Sequence, residues 1–203
     1  MAQDSAKPDF WDTRYRGNVM PWDAHGVPPI LAEWLDTREA AGRVLIPGCG
    51  TGYEARHLAQ KGYAVLAIDF SQAAVEAARA ELGEFASLVE RADFFAVEGG
   101  PFDLVYERAF LCALPRRMWE DWARRVAELV KPGGVLAGFF YFDDNAKGPP
   151  FGIAPEALDA LLAPAFERVV DCPVPSEQSL TVFEGRERWQ VWLRRNSGEM
   201  QSA

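Results

Sequence analysis

A short apolar run followed by a cluster of glycines constrains the fold of this chain more than any other feature. Residues 44–46 are Val-Leu-Ile, residues 47–52 are Pro-Gly-Cys-Gly-Thr-Gly, and residues 54–61 have helical spacing. A buried strand, a tight glycine turn and a helix in this order are typical of an open α/β sheet, in which ligands bind at the carboxyl ends of the strands. The sequence therefore predicts a ligand site beside these glycines.

Strands and helices alternate along most of the chain. The apolar pattern predicts strands at residues 44–46, 64–68, 86–90, 102–106 and 135–141, with a helix from Trp119 to Leu129 that stops at Pro132-Gly133-Gly134. No helix separates the last two predicted strands, residues 166–170 and 188–193, so they should pair antiparallel. We therefore predict an α/β, Rossmann-like fold: a seven-stranded, mostly parallel sheet with helices on both faces and an antiparallel C-terminal strand.

The first 38 residues precede this alternating pattern. Phe10, Trp11 and Tyr15 have helical spacing, and a second apolar helix face follows at residues 30–35, after a loop rich in glycine and proline. We expect residues 1–38 to form a helical extension that packs as a lid on a single domain spanning residues 1–203.

Composition excludes several kinds of partner. The net charge of −9 argues against nucleic acid, and no apolar stretch approaches the ~20 residues that span a bilayer. The polar start, residues 1–9, lacks the apolar run of a secretory signal. We expect a cytoplasmic monomer that acts on a small molecule.

The cysteines and histidines do not predict a metal site. Cys49, Cys112 and Cys172 are widely spaced and odd in number, and the two histidines, His25 and His57, are isolated. Neither a disulfide framework nor a zinc site has such spacing.

A carboxylate follows the glycine turn at the spacing of a nucleoside site. Asp69 ends the second strand 17 residues after Gly52, where it can accept both ribose hydroxyls. The glycine spacing is G-x-G-x-G, with Tyr53 where a dinucleotide fingerprint has its third glycine, which favours S-adenosylmethionine over a dinucleotide. Asp93-Phe94-Phe95 either flanks the adenine or forms a strand-end turn with two core phenylalanines, and the sequence leaves both alternatives open.

Several segments together resemble one known family. They are Phe10-Trp11-Asp12, Pro21-Trp22-Asp23, Pro47-Gly48-Cys49-Gly50, Asp93-Phe94-Phe95 and Phe102–Arg108. These segments look like the thiopurine S-methyltransferase family, which also includes plant and microbial thiol and halide methyltransferases. The resemblance runs from about residue 10 to residue 192. The glycine motif and Lys131-Pro132-Gly133-Gly134 are general to methyltransferases, whereas the tryptophan-bearing N-terminus and the segment before Arg108 are specific to the family.

The resemblance implies S-adenosylmethionine as the cofactor, with S-adenosylhomocysteine as its product. Arg108 corresponds to an arginine near the methyl-transfer centre, and Trp22 to an aromatic position that meets substrate. Arg186 best matches a second catalytic arginine, although a spacing difference of one residue leaves Arg188 as an alternative. The cofactor-binding residues implied are Trp11, Trp22, Gly48, Cys49, Gly50, Gly52, Asp69, Phe70, Asp93, Phe94, Glu107 and Arg108.

Methyl transfer from a sulfonium asks little of protein side chains. It requires an in-line nucleophile about 3 Å from the methyl group in a dry pocket. An arginine cannot act as a base there, but it can stabilise a thiolate; each arginine could instead be a surface ion-pair partner. We expect transfer to a small soft nucleophile, a thiol or thiopurine sulfur first, with halide, hydrosulfide or selenium and tellurium species as alternatives. An NAD-dependent oxidoreductase and a non-catalytic nucleoside-binding module are the competing hypotheses.

Overall fold

The computed structural model describes residues 4–39 and 42–196, so the first three residues of the predicted lid lie outside the described residues. The described residues form a seven-stranded sheet of β1 (Arg43–Pro47), β2 (Ala64–Asp69), β3 (Val89–Arg91), β4 (Phe102–Arg108), β5 (Val130–Tyr141), β6 (Phe166–Pro173) and β7 (Glu187–Arg194). The strand order is β3-β2-β1-β4-β5-β7-β6. The first five strands pair in parallel, and β7 runs antiparallel to both β5 and β6. The predicted fold class is confirmed.

Six α-helices accompany the sheet in the described residues: α1 (Pro8–Arg16), α2 (Pro29–Asp36), α3 (Tyr53–Gln60), α4 (Gln72–Leu82), α5 (Trp119–Leu129) and α6 (Pro155–Leu162). Alternate residues of a strand point to opposite faces of its sheet, so Val44 and Leu45 enter different core clusters. The first cluster includes residues of α2, α3 and α4, and the second includes residues of α5 and α6. Helices therefore cover both faces and leave the carboxyl edge of β1, β2 and β4 for a site.

The structure differs from the prediction by three residues or more at the starts of two strands and at the end of β6, which extends to Pro173 rather than to residue 170. Residues Gly83–Leu88 form a 3-10 helix, so the third strand is shorter than predicted and starts at Val89. The fifth strand begins at Val130 rather than Val135, and α5 ends at Leu129, before the proline. The register between β4 and β5 shifts between Val130 and Val135, because the Lys-Pro-Gly-Gly segment forms a bulge.

The N-terminal extension divides into two parts with different roles. Leu31 and Leu35 on α2 are 0% and 2% exposed and belong to the sheet core, so α2 is a covering helix of the sheet. In contrast, α1 packs on the N-terminal end of α4. The buried Asp12 carboxylate accepts hydrogen bonds from Ser71 Oγ at 2.6 Å and from the backbone N–H of Ala73 at 3.0 Å. A side chain of α1 thus satisfies unpaired donors at the start of α4.

Candidate active site

A cavity of about 380 Å³ lies at the carboxyl ends of β1, β2 and β4. Residues of α1 and of the loop that follows it form one wall. Nine of the residues singled out in the sequence line this cavity: Trp11, Trp22, Gly48, Gly50, Asp69, Phe70, Asp93, Phe94 and Arg108. Strand ends that are far apart in the sequence therefore converge where an α/β sheet binds its ligands.

The glycine turn keeps the floor of this cavity open. Gly48 and Gly50 have φ values of +57° and +55°, a backbone region that favours glycine. A Cβ atom at Gly48 would lie 2.5 Å from the Phe110 ring, and one at Gly50 would lie 2.9 Å from Tyr15 Oη. Side chains at these positions would therefore collide with residues that line the cavity.

Asp69 is a buried carboxylate at the end of β2. It is 9% exposed, and it accepts hydrogen bonds from the backbone N–H of Ser71 at 2.9 Å and of Gly50 at 3.4 Å. Burial raises the pKa of Asp69 to about 6, although these hydrogen bonds oppose the rise. A carboxylate offers about four acceptor positions, so Asp69 can still accept two hydroxyl groups from a ligand.

Aromatic side chains of the N-terminal extension cover the cavity. Trp11 and Trp22 meet edge to face at 5.2 Å between ring centroids, and Tyr15 meets Trp22 at 6.1 Å. The Trp11 Nε1–H donates to the backbone oxygen of Ser5 at 2.8 Å. Ser5 also lines the cavity, and its buried hydroxyl has no hydrogen-bond partner. Aromatic side chains of the N-terminal extension therefore form part of the cavity wall.

Asp93 and Phe94 form the strand-end turn that the sequence offered as one alternative, and they also line the cavity. Asp93 Oδ1 accepts a hydrogen bond from the backbone N–H of Phe95 at 2.9 Å, which stabilises a turn after β3. The Phe94 ring is 4% exposed and packs edge to face on Phe110 at 5.1 Å. Both residues nevertheless line the cavity, so a structural role does not remove them from the site.

Arg108 brings a positive charge to the opposite end of the cavity. Its side chain is 11% exposed, and its guanidinium lies 4.5 Å from the centroid of the Phe139 ring. Nε is 4.0 Å from Glu54 Oε1, whereas Nη1 is buried without a hydrogen-bond partner. Nearby lining residues are largely apolar, among them Cys112, Pro149, Pro150, Val182 and Phe183. A charged donor among apolar groups is suited to a small anion.

Three residues of the predicted cofactor site lie behind the cavity wall. Cys49 is a buried core residue, and Gly52 is the N-cap of α3, with a φ of +78°. The Glu107 carboxylate accepts hydrogen bonds from the backbone N–H of Phe110 and Leu111. Burial raises the pKa of Glu107 to about 7. In this geometry Glu107 stabilises the turn after β4.

The two C-terminal arginines also lie outside the cavity lining. The Arg186 side chain is 40% exposed and pairs with Asp143 at 2.6 Å and with Glu184 at 2.9 Å. The alternative, Arg188, pairs with Asp171 at 2.6 Å. The structure therefore brings one of the two predicted catalytic arginines, Arg108, to the cavity.

Several residues at the site were missed by sequence reasoning. Tyr15 could have been found, because it follows Trp11 by four residues and shares its helix face. Glu54 could have drawn attention as the acidic residue directly after the glycine turn. Ala109 gave no signal, since nothing in the sequence indicates its φ of +58°, a strained backbone that turns the chain directly after Arg108.

Comparisons with known proteins agree with this geometry. The family model for thiopurine S-methyltransferase matches residues 6–195. A probable thiol methyltransferase 2 from Arabidopsis thaliana is 30% identical over 194 residues, covering 91% of this chain and 84% of that protein. A thiopurine S-methyltransferase from Vibrio cholerae is 34% identical over 170 residues, covering 74% of this chain and 78% of that protein.

A solved structure supports the fold independently. The 1,6-didemethyltoxoflavin-N1-methyltransferase of Burkholderia thailandensis, determined with S-adenosylhomocysteine, superimposes with a TM-score of 0.73. The match covers 93% of this chain and 87% of that chain at 16% identity, so it is a likeness of fold. The family match and the relatives agree with the cofactor that the glycine spacing favoured. The chain belongs to the thiopurine S-methyltransferase family and is an S-adenosylmethionine-dependent methyltransferase.

Proposed function

We propose that the enzyme methylates the sulfur of a small thiol, which it binds as a thiolate beside Arg108. The observation that carries this proposal is the guanidinium of Arg108, which lines the cavity with one nitrogen buried and without a partner. A thiolate approaching that nitrogen would gain a charge-assisted hydrogen bond at a side chain that is 11% exposed. The relatives described as thiol and thiopurine methyltransferases support a sulfur acceptor.

The other end of the cavity fits the cofactor. We assign Asp69 to the ribose hydroxyls, Asp93 and Phe94 to the adenine, and Trp11 to the cover. We assign Trp22 to both the cover and the acceptor, because it packs on the apolar cluster that contains Cys112 and Phe183. Bound S-adenosylmethionine supplies a methyl group on a positively charged sulfur. Gly48 and Gly50 line the cavity with backbone atoms alone, so the cofactor can approach the main chain there.

The size of the cavity favours a small acceptor. Small-molecule sites commonly occupy about 300–1,000 Å³, and this one has about 380 Å³ for the cofactor and the acceptor together. A second candidate acceptor, halide or hydrosulfide, is favoured by the same guanidinium and needs no base. For a thiol, Arg108 would stabilise the thiolate but would not remove its proton.

A turnover screen with methyl-labelled S-adenosylmethionine tests this proposal. The acceptors are small thiols, thiopurines, hydrosulfide, thiocyanate, iodide and bromide, with an amine and an alcohol of matched size as controls. We expect small thiols to be methylated at a rate that rises with the thiolate fraction, whereas a halide rate should not depend on acceptor ionisation. Turnover of the amine or alcohol without turnover of any thiol would contradict the proposal.

We further propose that the enzyme acts as a monomer in the cytoplasm. Among the described residues no helix combines the length and apolar character needed to cross a bilayer. The large apolar side chains exposed in that part of the chain are Val19, Val169 and Leu193, too few to form the apolar centre of a stable interface. Light scattering during size-exclusion chromatography should give a mass near 22.6 kDa; a dimer mass would contradict this proposal.

A further inference from the structure

Under the proposed function we call the Arg108 end of the cavity the transfer end and the Asp69 end the nucleoside end. A buried ion pair lies directly behind the transfer end. Glu54, in the first turn of α3, and Arg108, at the end of β4, have side chains that are each 11% exposed. Glu54 Oε1 lies 4.0 Å from Arg108 Nε and accepts a hydrogen bond from Tyr106 Oη at 3.4 Å. Burial raises the pKa of Glu54, and the adjacent guanidinium opposes that rise. Arg108 lines the cavity, whereas Glu54 stands behind it.

The position of Arg108 creates an electrostatic conflict. S-adenosylmethionine carries a positive sulfonium, and the proposed function places that sulfonium near the permanently charged guanidinium. Because the Arg108 side chain is 11% exposed, a second positive charge beside it is repelled more strongly than it would be in bulk water. S-adenosylhomocysteine has a neutral sulfur, so it would not experience this repulsion. An uncompensated arginine would therefore weaken binding of the methyl donor relative to the product.

We propose that Glu54 is a charge-balancing, positioning residue that allows the sulfonium and the Arg108 guanidinium to share one cavity. Its carboxylate occupies the Nε side of the guanidinium and leaves Nη1 unpartnered, so Glu54, with a smaller contribution from the buried Glu187, balances the charge from behind while a donor is retained for the acceptor. Glu54 thereby sets the relative affinity of the enzyme for donor and product. This inference rests on the proposed function, because it requires Arg108 to face the transfer centre.

A purely structural role for Glu54 makes a different prediction. A glutamate in the first turn of a helix interacts favourably with the helix dipole, and its loss would destabilise α3. That destabilisation would weaken the binding of both ligands together, because they share the nucleoside and amino-acid portions. A charge-balancing residue instead changes the ratio of the two dissociation constants. The ratio therefore separates the two roles.

The experiment compares Glu54→Gln with the wild-type enzyme by calorimetric titration of S-adenosylmethionine and S-adenosylhomocysteine. Glutamine keeps the shape and the acceptor for Tyr106 but removes the charge. We expect the ratio of Kd for S-adenosylmethionine to Kd for S-adenosylhomocysteine to rise about tenfold, which corresponds to about 1.4 kcal/mol of lost attraction between the sulfonium and one negative charge. Glu81→Gln is the matched control, since Glu81 pairs with Arg56 on the surface; its ratio should not change.

A ratio within twofold of the wild-type value in folded Glu54→Gln overturns the inference. If that variant does not fold, Glu54→Met is measured against the same thresholds, because methionine has a similar volume and requires no hydrogen-bond partner. Failure of the proposed function can be distinguished from failure of this inference about Glu54. In that case the wild-type enzyme methylates no thiol, halide or hydrosulfide, whereas failure of this inference leaves turnover intact and the ratio unchanged.

Discussion

The two ends of the cavity hold their charged groups in different ways. At the nucleoside end, Asp69 is held by backbone N–H groups of the glycine turn and of the start of α4. At the transfer end, Arg108 is held by side chains, through the Glu54 carboxylate and the Phe139 ring. Backbone donors fix a carboxylate wherever the fold is kept, whereas side-chain partners can change with the acceptor. The comparison suggests that donor recognition is built into the fold and that acceptor chemistry depends on a few exchangeable residues.

Arg108→Met should have the largest effect, because it removes the charge from the transfer end and keeps most of the volume. We expect turnover to fall by about 10²–10³, the range for losing one preorganised electrostatic donor. The affinity for S-adenosylhomocysteine should change by less than about threefold, since the nucleoside end is unaltered. Initial rates and calorimetry on the same preparation measure both quantities.

The control for this variant is Arg124→Met, which removes an arginine whose side chain is 66% exposed and paired with Asp121. Its turnover should match that of the wild-type enzyme. Full turnover of Arg108→Met with every active acceptor would show that Arg108 is structural, and the difference between the two ends would then lose its functional meaning.

Asp69→Asn should weaken cofactor binding and stabilise the free protein. Hydrogen bonds to a charged group contribute about 1.5–3 kcal/mol, so we expect the affinity for S-adenosylhomocysteine to fall by about 10- to 100-fold. In the free protein the variant removes a buried charge, and its melting temperature at pH 7.5 should rise. Calorimetry tests the expected loss of affinity, and thermal denaturation tests the expected rise in melting temperature. A variant with unchanged affinity would show that the ribose is bound elsewhere.

The pH dependence of Asp69 follows from the same burial. Its pKa is raised from 3.8 to about 6, so folding favours the protonated form and the associated stability is lost as the pH rises from about 4 to about 6. The rise in the pKa of Asp69 corresponds to at most about 3 kcal/mol of folding free energy. Ribose binding uses the ionised form, so cofactor affinity should decline below pH 6 in the wild-type enzyme and stay flat in Asp69→Asn. A wild-type affinity that does not change between pH 5 and 7.5 would contradict this assignment.

Asp12→Ala should loosen the cover over the nucleoside end. Burial raises the pKa of Asp12, but the hydrogen bonds from Ser71 and Ala73 outweigh it and lower the pKa below 3.8. Removing this acceptor leaves buried donors unpaired at a cost of about 1–3 kcal/mol. We expect the amides of α1 to lose hydrogen-exchange protection while those of β1 keep it, and S-adenosylhomocysteine to restore part of that protection. Asp9→Ala, at an exposed position on the same helix, is the control; equal loss in both variants would remove the specific role of Asp12.

Residues at the carboxyl ends of parallel strands could be predicted from the sequence. Asp69 and Arg108 follow buried apolar runs, and the geometry of a parallel sheet brings such positions together whatever lies between them. The position of Glu54 could draw attention, but its 4.0 Å ion pair and the unpartnered hydroxyl of Ser5 could not be predicted, because both are properties of tertiary packing. The bulge at the start of β5 was missed for a similar reason: Pro-Gly-Gly usually ends an element, yet here pairing with β4 resumes at Val135.

Arg186→Met should have the smallest effect, and it tests whether the geometry of the sheet keeps Arg186 out of the site. Arg186 precedes an antiparallel strand, where sheet geometry does not direct a side chain towards the carboxyl edge of the parallel strands. Its side chain is 40% exposed and already paired with two carboxylates, Asp143 and Glu184. Exposed ion pairs of this kind contribute about 0–1 kcal/mol, so kcat/KM should stay within about threefold of the wild-type value. Arg188→Met, which removes a similar surface pair with Asp171, is the matched control. A fall of 10²-fold or more in Arg186→Met alone would mean that Arg186 leaves its two carboxylates and joins Arg108 during turnover, and the transfer end would then contain two arginines instead of one.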